Sequence, residues 1–473
     1  MAGLVGGGRR LYRSRMDTAR YTPHARALMV LGLPLIGSHL ARMAIGVSDT
    51  IMVGWYGVVP LAALVLATSM YHLLFFLGMG YGIGVMGLIA TAMTRGNETE
   101  VRRTTRMALW LSGIHSVLVM PLMWWSEPIL LALGQSPEVA GLAQDYLRIA
   151  GWAMIATLGG LTLNSYLAAL GRANVVLWVT LAGLPVNILL NWVLIFGNWG
   201  APELGVRGAA IASLSVQMAQ LVGLCLYATW LPLARKYVLF QRFWRPDWDA
   251  FRQVMWLGLP IGLTMVAEGG LFIATNVMMG WIGTDQLAAH GIALQITSIT
   301  FMVPLGLSNA ATVLIGRAKG RDDPNAMRDA GRVGVALALG FALLWAGLYL
   351  VAGPQLARLF LDPADPATPG LVALAAYLLL FAALFQLTDC VQVITLGLLR
   401  GVHDTAVPMW LAGFSYWVVG MPLAWALAFP LGVGPAGLWL GLVAGLTLAA
   451  VLLSLRFWRG LRRGDWTAGL KPV

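Results

Sequence analysis

A chain of 473 residues that is 59% hydrophobic and only 11% charged, with a mean hydropathy of +0.76, lies outside the composition of soluble globular domains. Its net charge of +11 is spread over many short polar breaks, which argues against a nucleic-acid-binding surface. Cys225 and Cys390 both fall inside apolar stretches and indicate no disulfide framework.

In chain order, residues 1–26 form a basic arm with six arginines. The long apolar stretch that follows has no clear small-residue cleavage site and reads as a retained first span. Apolar windows predict twelve helices, at residues 27–57, 61–93, 105–126, 140–168, 174–197, 206–230, 251–281, 285–316, 327–352, 368–399, 406–428 and 433–456. Runs of this length cross a bilayer as helix, whereas barrel strands need only about 10 alternating residues. Gly78, Gly80, Gly82 and Gly84 predict a kink in the second span, and Pro304 and Gly306 one in the eighth.

Lys and Arg accumulate in cytoplasmic connections. All but four of the 31 basic residues fall in the N-terminal arm, the even-to-odd connections and the C-terminal tail, the exceptions being Arg42, Arg148, Arg207 and Arg358. Both termini are therefore expected in the cytoplasm, with the chain in a bacterial inner membrane.

An internal repeat sets the expected architecture. Leu31-Gly32-Leu33-Pro34 recurs as Leu257-Gly258-Leu259-Pro260, Met52-Val53-Gly54-Trp55 matches Met278-Met279-Gly280-Trp281, and Leu61-Ala62-Ala63 matches Leu287-Ala288-Ala289, all at one offset. The offset covers six helices, an even number, so both halves enter the membrane in the same sense. The expected fold is an all-α polytopic membrane protein of twelve transmembrane helices, in two six-helix lobes related by a parallel repeat. Its divisions are the arm 1–26, an N-terminal lobe 27–230, a cytoplasmic linker 231–250, a C-terminal lobe 251–456 and a cytoplasmic tail 457–473. Two such lobes leave a cavity near the midplane, the usual place for a transporter's site.

A carboxyl group inside hydrocarbon costs several kcal/mol, which makes an intramembrane acid a functional candidate. Three acids qualify: Asp49 in the first span, Glu268 in the seventh and Asp389 in the tenth. Arg42, seven residues before Asp49, is a possible partner on the same helix face. No basic residue lies within two turns of Glu268 or Asp389 on the same span, so these two are read as proton or Na⁺ binders. Asn187 and Asn191, four apart, share one face of the fifth span and serve either a site or helix packing; Gln295 in the eighth span carries the same two readings. His72, His115 and His290 lack metal-ligand spacing. No Walker-type loop is present, and no cluster of nucleophile and base residues supports a membrane-embedded enzyme.

These motifs resemble the multidrug and toxic compound extrusion family, in its bacterial NorM-like branch. The resemblance runs from Ala27 to Arg456 and is most specific at Ser48-Asp49-Thr50-Ile51-Met52-Val53-Gly54, at Pro185-Val186-Asn187 through Asn191, at Leu204-Gly205-Val206-Arg207-Gly208-Ala209-Ala210, and at Asp389 with Gly397-Leu398-Leu399-Arg400-Gly401. It implies that Asp49, Asn187 and Asn191, with Arg42 beside them, line an N-lobe polar site, and that Glu268, Gln295 and Asp389 line a cation site able to take Na⁺. It makes Pro34, and by the repeat Pro260, hinge candidates. Arg42 stands where many relatives have glutamine, and Phe385 where some have tyrosine. The resemblance implies a secondary antiporter that exports organic cations in exchange for Na⁺ or H⁺, with no cofactor and no obligate protein partner. A flippase for a lipid-linked substrate is the alternative; such proteins often have a more basic cavity, whereas the candidates here are mostly acidic.

Overall fold

The computed structural model describes residues 4–230, 236–361 and 368–466, with side chains from residue 20 onward. Most of the basic arm's side chains, Arg235 of the linker and the end of the tail lie outside the described residues. Among the described residues, twelve helices are long and apolar enough to cross a membrane: α1 Arg20–Tyr56, α2 Val58–Thr94, α3 Glu98–Trp124, α4 Pro137–Ala169, α5 Ala173–Phe196, α6 Val206–Trp230, α7 Trp248–Ile282, α8 Thr284–Gly320, α9 Pro324–Arg358, α10 Thr368–Gly401, α11 Ala406–Ala428 and α12 Pro435–Arg463. No strand occurs among the described residues, and a backbone in lipid has few other ways to satisfy its polar groups.

Each predicted span has its helix, and several helices run past the apolar stretch into charged sequence. Their ends have local causes. The Asn97 side chain accepts from Glu100 N, and Asp323 accepts from Asn325 N and Ala326 N, capping α3 and α9. Pro137, Pro324 and Pro435 stand in the first turns of α4, α9 and α12, where a missing N–H costs nothing. Gly197 closes α5 in the left-handed region at φ 70°.

The expected kinks are displaced. No residue within α2 or α8 leaves helical geometry, and Pro304 is accommodated in α8, which packs against both α9 and α10. The break instead falls at Ala352 in α9 (φ −115°, ψ 15°), two residues before Pro354, whose ring displaces a helical hydrogen bond. In α11, residues Phe414–Gly420 form wider π-helical turns.

The described residues divide into two compact units. The first comprises Pro34–Phe272 with His403–Gly413, and the second the chain up to Leu33 with Ile273–Val402 and the chain from Phe414 onward. In the first unit α4 is the central helix and packs on α2, α3 and α6. Six helices later, α10 plays the same part in the second unit, against α8, α9 and α12. The core of the first unit includes Met52, Val53, Leu64, Met123, Leu147, Met154 and Ile195.

Small residues bring backbones together, as expected where lipid supplies no hydrophobic drive between helices. Within the first unit a Cβ on Gly80 would collide with Gly258 O, one on Gly262 with Leu77 O, and one on Gly258 would stand 2.8 Å from Tyr81 Cα. α2 and α7 therefore cross in backbone contact. Within the second unit, Gly32 of α1 faces Leu307 of α8, and a Cβ on Gly32 would stand 3.0 Å from Leu307 Cδ2. Gly32 and Leu307 are each offset by the same number of residues from Gly258 and Tyr81, so the two crossings correspond under the sequence repeat. Pro34 and Pro260 lie inside continuous helices close to them.

Candidate functional site

A polar cluster assembles where α1, α5 and α6 meet in the first unit. Asp49 is 7% exposed, and Asn187 and Asn191, one turn apart on α5, are wholly buried. Asn191 Nδ2 donates to Asp49 Oδ1 at 2.6 Å and lies 3.2 Å from Asn187 Oδ1. Ser213 Oγ, from α6, donates to the other carboxylate oxygen at 2.7 Å. Ser48 Oγ approaches Asn187 Oδ1 at 2.9 Å and the Ile45 carbonyl at 2.8 Å. Both carboxylate oxygens are thus met by neutral donors, which offsets part of the cost of burying the group without balancing its charge.

The pairing of Arg42 with Asp49 does not form. No ion pair joins them, and Arg42 instead lines a cavity of about 20 Å³ with Thr157, Asn164, Thr180, Gln217 and Gln220. Seven residues of α-helix rise about 10.5 Å, which separates the two side chains along the axis although they share a face. Thr157 hydrogen-bonds Gln217 and stands 3.2 Å from the Tyr71 hydroxyl. The cavity has the volume of roughly one water, and Asn164 Oδ1 and Gln220 Nε2 have no protein hydrogen-bond partner.

The other candidates fall in different units. Glu268 is buried in α7, in the first unit, with the buried Thr264 one turn before it. Asp389 is 2% exposed in α10, in the second unit, and Gln295 is half-buried in α8. Phe385, one turn before Asp389, offers no oxygen; its ring stands edge-on to Trp439 at 5.8 Å, and Trp439 also meets the His290 ring at 5.5 Å.

Sequence reasoning missed several polar groups near these positions. Ser213 is the clearest. Beside Asp389, Gln386 Oε1 accepts from Thr300 Oγ1 at 3.0 Å, and Thr300 Oγ1 lies 2.8 Å from the Tyr349 hydroxyl. Gln392 is fully buried, and neither of its amide atoms has a hydrogen-bond partner. Gln386, Asp389 and Gln392 are spaced by three along α10, a signal that was present in the sequence. Among the described residues no group of three or more His, Cys, Asp or Glu side chains is arranged to hold a metal ion. Any Na⁺ would therefore rely on hydroxyl, amide and carbonyl oxygens beside a carboxylate.

Comparison with known proteins agrees with this architecture. The MatE family model matches residues 34–193 and 260–426, two stretches beginning at Pro34 and Pro260. A probable multidrug resistance protein NorM of Rhizobium meliloti is 46% identical over 93% of this chain and 94% of its own length. One of the same name from Pseudomonas putida is 37% identical over 93% and 95%. Among solved structures, the eukaryotic MATE transporter AtDTX14 superposes with a TM-score of 0.83 at 19% identity, covering 94% of this chain and 98% of that one. A MATE in complex with MaL6 gives 0.84 at 22%, covering 93% and 97%. With twelve membrane-length helices and relatives of this kind over nearly its whole length, the chain belongs to the MatE family, the multidrug and toxic compound extrusion transporters, in the NorM-like bacterial branch.

Proposed function

We propose that this protein is a secondary antiporter of the bacterial inner membrane, exporting organic cations in exchange for H⁺ or Na⁺, with both termini in the cytoplasm. The observation that carries the reading is the buried Asp49 carboxylate, held by Asn191 and Ser213 and by no Lys or Arg side chain. A buried carboxylate met only by neutral donors is suited to bind a cation, whether a proton, a metal ion or a cationic substrate. The names of the relatives support the substrate class, and the basic even-to-odd connections support the orientation.

Glu268 and Asp389 are proposed as further coupling carboxylates, with Gln295 as a polar neighbour in the pathway. In an alternating-access cycle the ion drives export only through its different affinity for the two states. One charge moving through the full membrane potential contributes about 2.3 kcal/mol per 100 mV.

The test uses purified full-length protein in proteoliposomes, with ethidium as substrate and the pH and Na⁺ gradients imposed one at a time. Export driven by one of these gradients is expected, and it should fall at least about tenfold in Asp49→Asn, Glu268→Gln or Asp389→Asn. Export unchanged in all three variants, or independent of both gradients, would refute the reading.

A further inference from the structure

A second polar cavity, of about 730 Å³, opens between α3 and the linker that precedes α7. Its wall brings together Arg102, Arg103 and Arg106 of α3 with Arg242 and Arg245 of the linker, against a single acid, Asp247. Arg103 engages both oxygens of that acid, its Nη2 donating to Oδ1 at 2.8 Å. None of the other four arginines has an ion pair among the described residues. Arg106 is the most informative. It is only 8% exposed, and its Nη1 donates to the carbonyls of Gln241 and Arg242 at 3.4 and 3.1 Å, while its Nε has no partner. A guanidinium buried to this degree ordinarily has its donors satisfied.

The surroundings have the composition of a site at the edge of the hydrocarbon. Trp110 Nε1 donates to the Phe243 carbonyl at 3.0 Å and ties the linker to α3, while Trp244 and Trp248 are 75% and 66% exposed on either side of Arg245. Exposed tryptophans flanking a basic cluster are characteristic of the headgroup layer.

We propose that this cavity binds a phosphate group, with the guanidinium of Arg106 at its floor and Arg102, Arg242 and Arg245 around its mouth. Guanidinium forks match phosphate oxygens in pairs. A phosphate bridging α3 and the linker would fasten the strap between the two repeated halves. The same chemistry is offered by an anionic phospholipid headgroup and by a soluble phosphate compound, and the test separates these sources.

Delipidated full-length protein in detergent is titrated with short-chain phosphatidylglycerol, short-chain phosphatidylcholine and inorganic pyrophosphate, with binding followed by native mass spectrometry and thermal shift. Arg242→Gln/Arg245→Gln removes two exposed charges that hold no ion pair, so its fold should persist; Arg106→Gln probes the buried group. Saturable binding of phosphatidylglycerol but not phosphatidylcholine, weakened about tenfold or more in the double variant and by added salt, is the expected result. If pyrophosphate competes, or binds alone, the phosphate site stands and its source is soluble. Absence of saturable binding by either anion, or binding of equal strength in the double variant, would overturn the proposal.

Discussion

Asn191 Nδ2 lies 2.6 Å from Asp49 Oδ1, although α5 and α1 carry the two residues 142 positions apart. A carboxamide presents a donor at one corner and an acceptor at the other, so a half-turn of Asn191 exchanges the atom facing Asp49. The same residue can donate to a carboxylate and accept from a carboxylic acid. Asn191 Oδ1 has no hydrogen-bond partner as it stands, which leaves that rotation unopposed by any bond to its oxygen.

Ser213 and Asp49 should behave as an energetically coupled pair. Ser213→Ala removes the hydroxyl donating to Asp49 Oδ2 and should lower stability at neutral pH by about 2 kcal/mol, as for a hydrogen bond to a charged group. In Asp49→Asn that penalty should shrink, giving a coupling of about 1 kcal/mol or more in a double-mutant cycle. Reversible denaturation of the four proteins in detergent measures it, and strictly additive losses would contradict the assignment.

Arg42→Gln should leave the pH dependence of ethidium export where it is in the parent protein. Arg42 faces Thr157, Gln217 and Gln220 across a small cavity and makes no ion pair with Asp49. A displaced pH profile in proteoliposomes would show that the arginine acts on the carboxylate at a distance.

Gly80→Ala should destabilise the crossing of α2 and α7 by about 2 kcal/mol, the usual scale of overpacking, because the added methyl meets the backbone oxygen of Gly258. Gly113→Ala in α3, where nothing stands within 4 Å of the new methyl, is the control and should be neutral or slightly stabilising. Thermal denaturation of both variants distinguishes a tight crossing from a loose one.

The Arg103 to Asp247 contact predicts a response to acid. The hydrogen bond from Arg103 holds the Asp247 carboxyl below the ordinary carboxylate range. Its stabilisation is therefore complete above the unfolded pKa and is lost as pH falls through the depressed folded value. Limited proteolysis of the linker should stay slow down to the usual carboxylate range and accelerate only below it. In Asp247→Asn it should be faster at neutral pH and less sensitive to acid.

Twelve spans were legible because a bilayer demands long apolar runs, and a run such as that of α6 has no other explanation. Helix ends were less so, since α9 continues to Arg358 beyond its apolar stretch by bending at Ala352. Asp49 was legible as a charge in hydrocarbon. Its partner Ser213 was not, because a serine can bond its own helix and gives no sign of what lies across from it. Arg42 misled for a related reason: nearness in sequence suggested a bond that α5 and α6 supply from elsewhere. The arginine-lined cavity was hidden because Arg102 and Arg242 meet only when the linker folds back on α3.

The crossing of α2 and α7 carries one more consequence. Gly80, Gly258 and Gly262 there bring main chain against main chain, positions at which no side chain is immobilised. If the proposed transport cycle parts this crossing, a joint of bare main chain would re-form with little entropy lost at each closure.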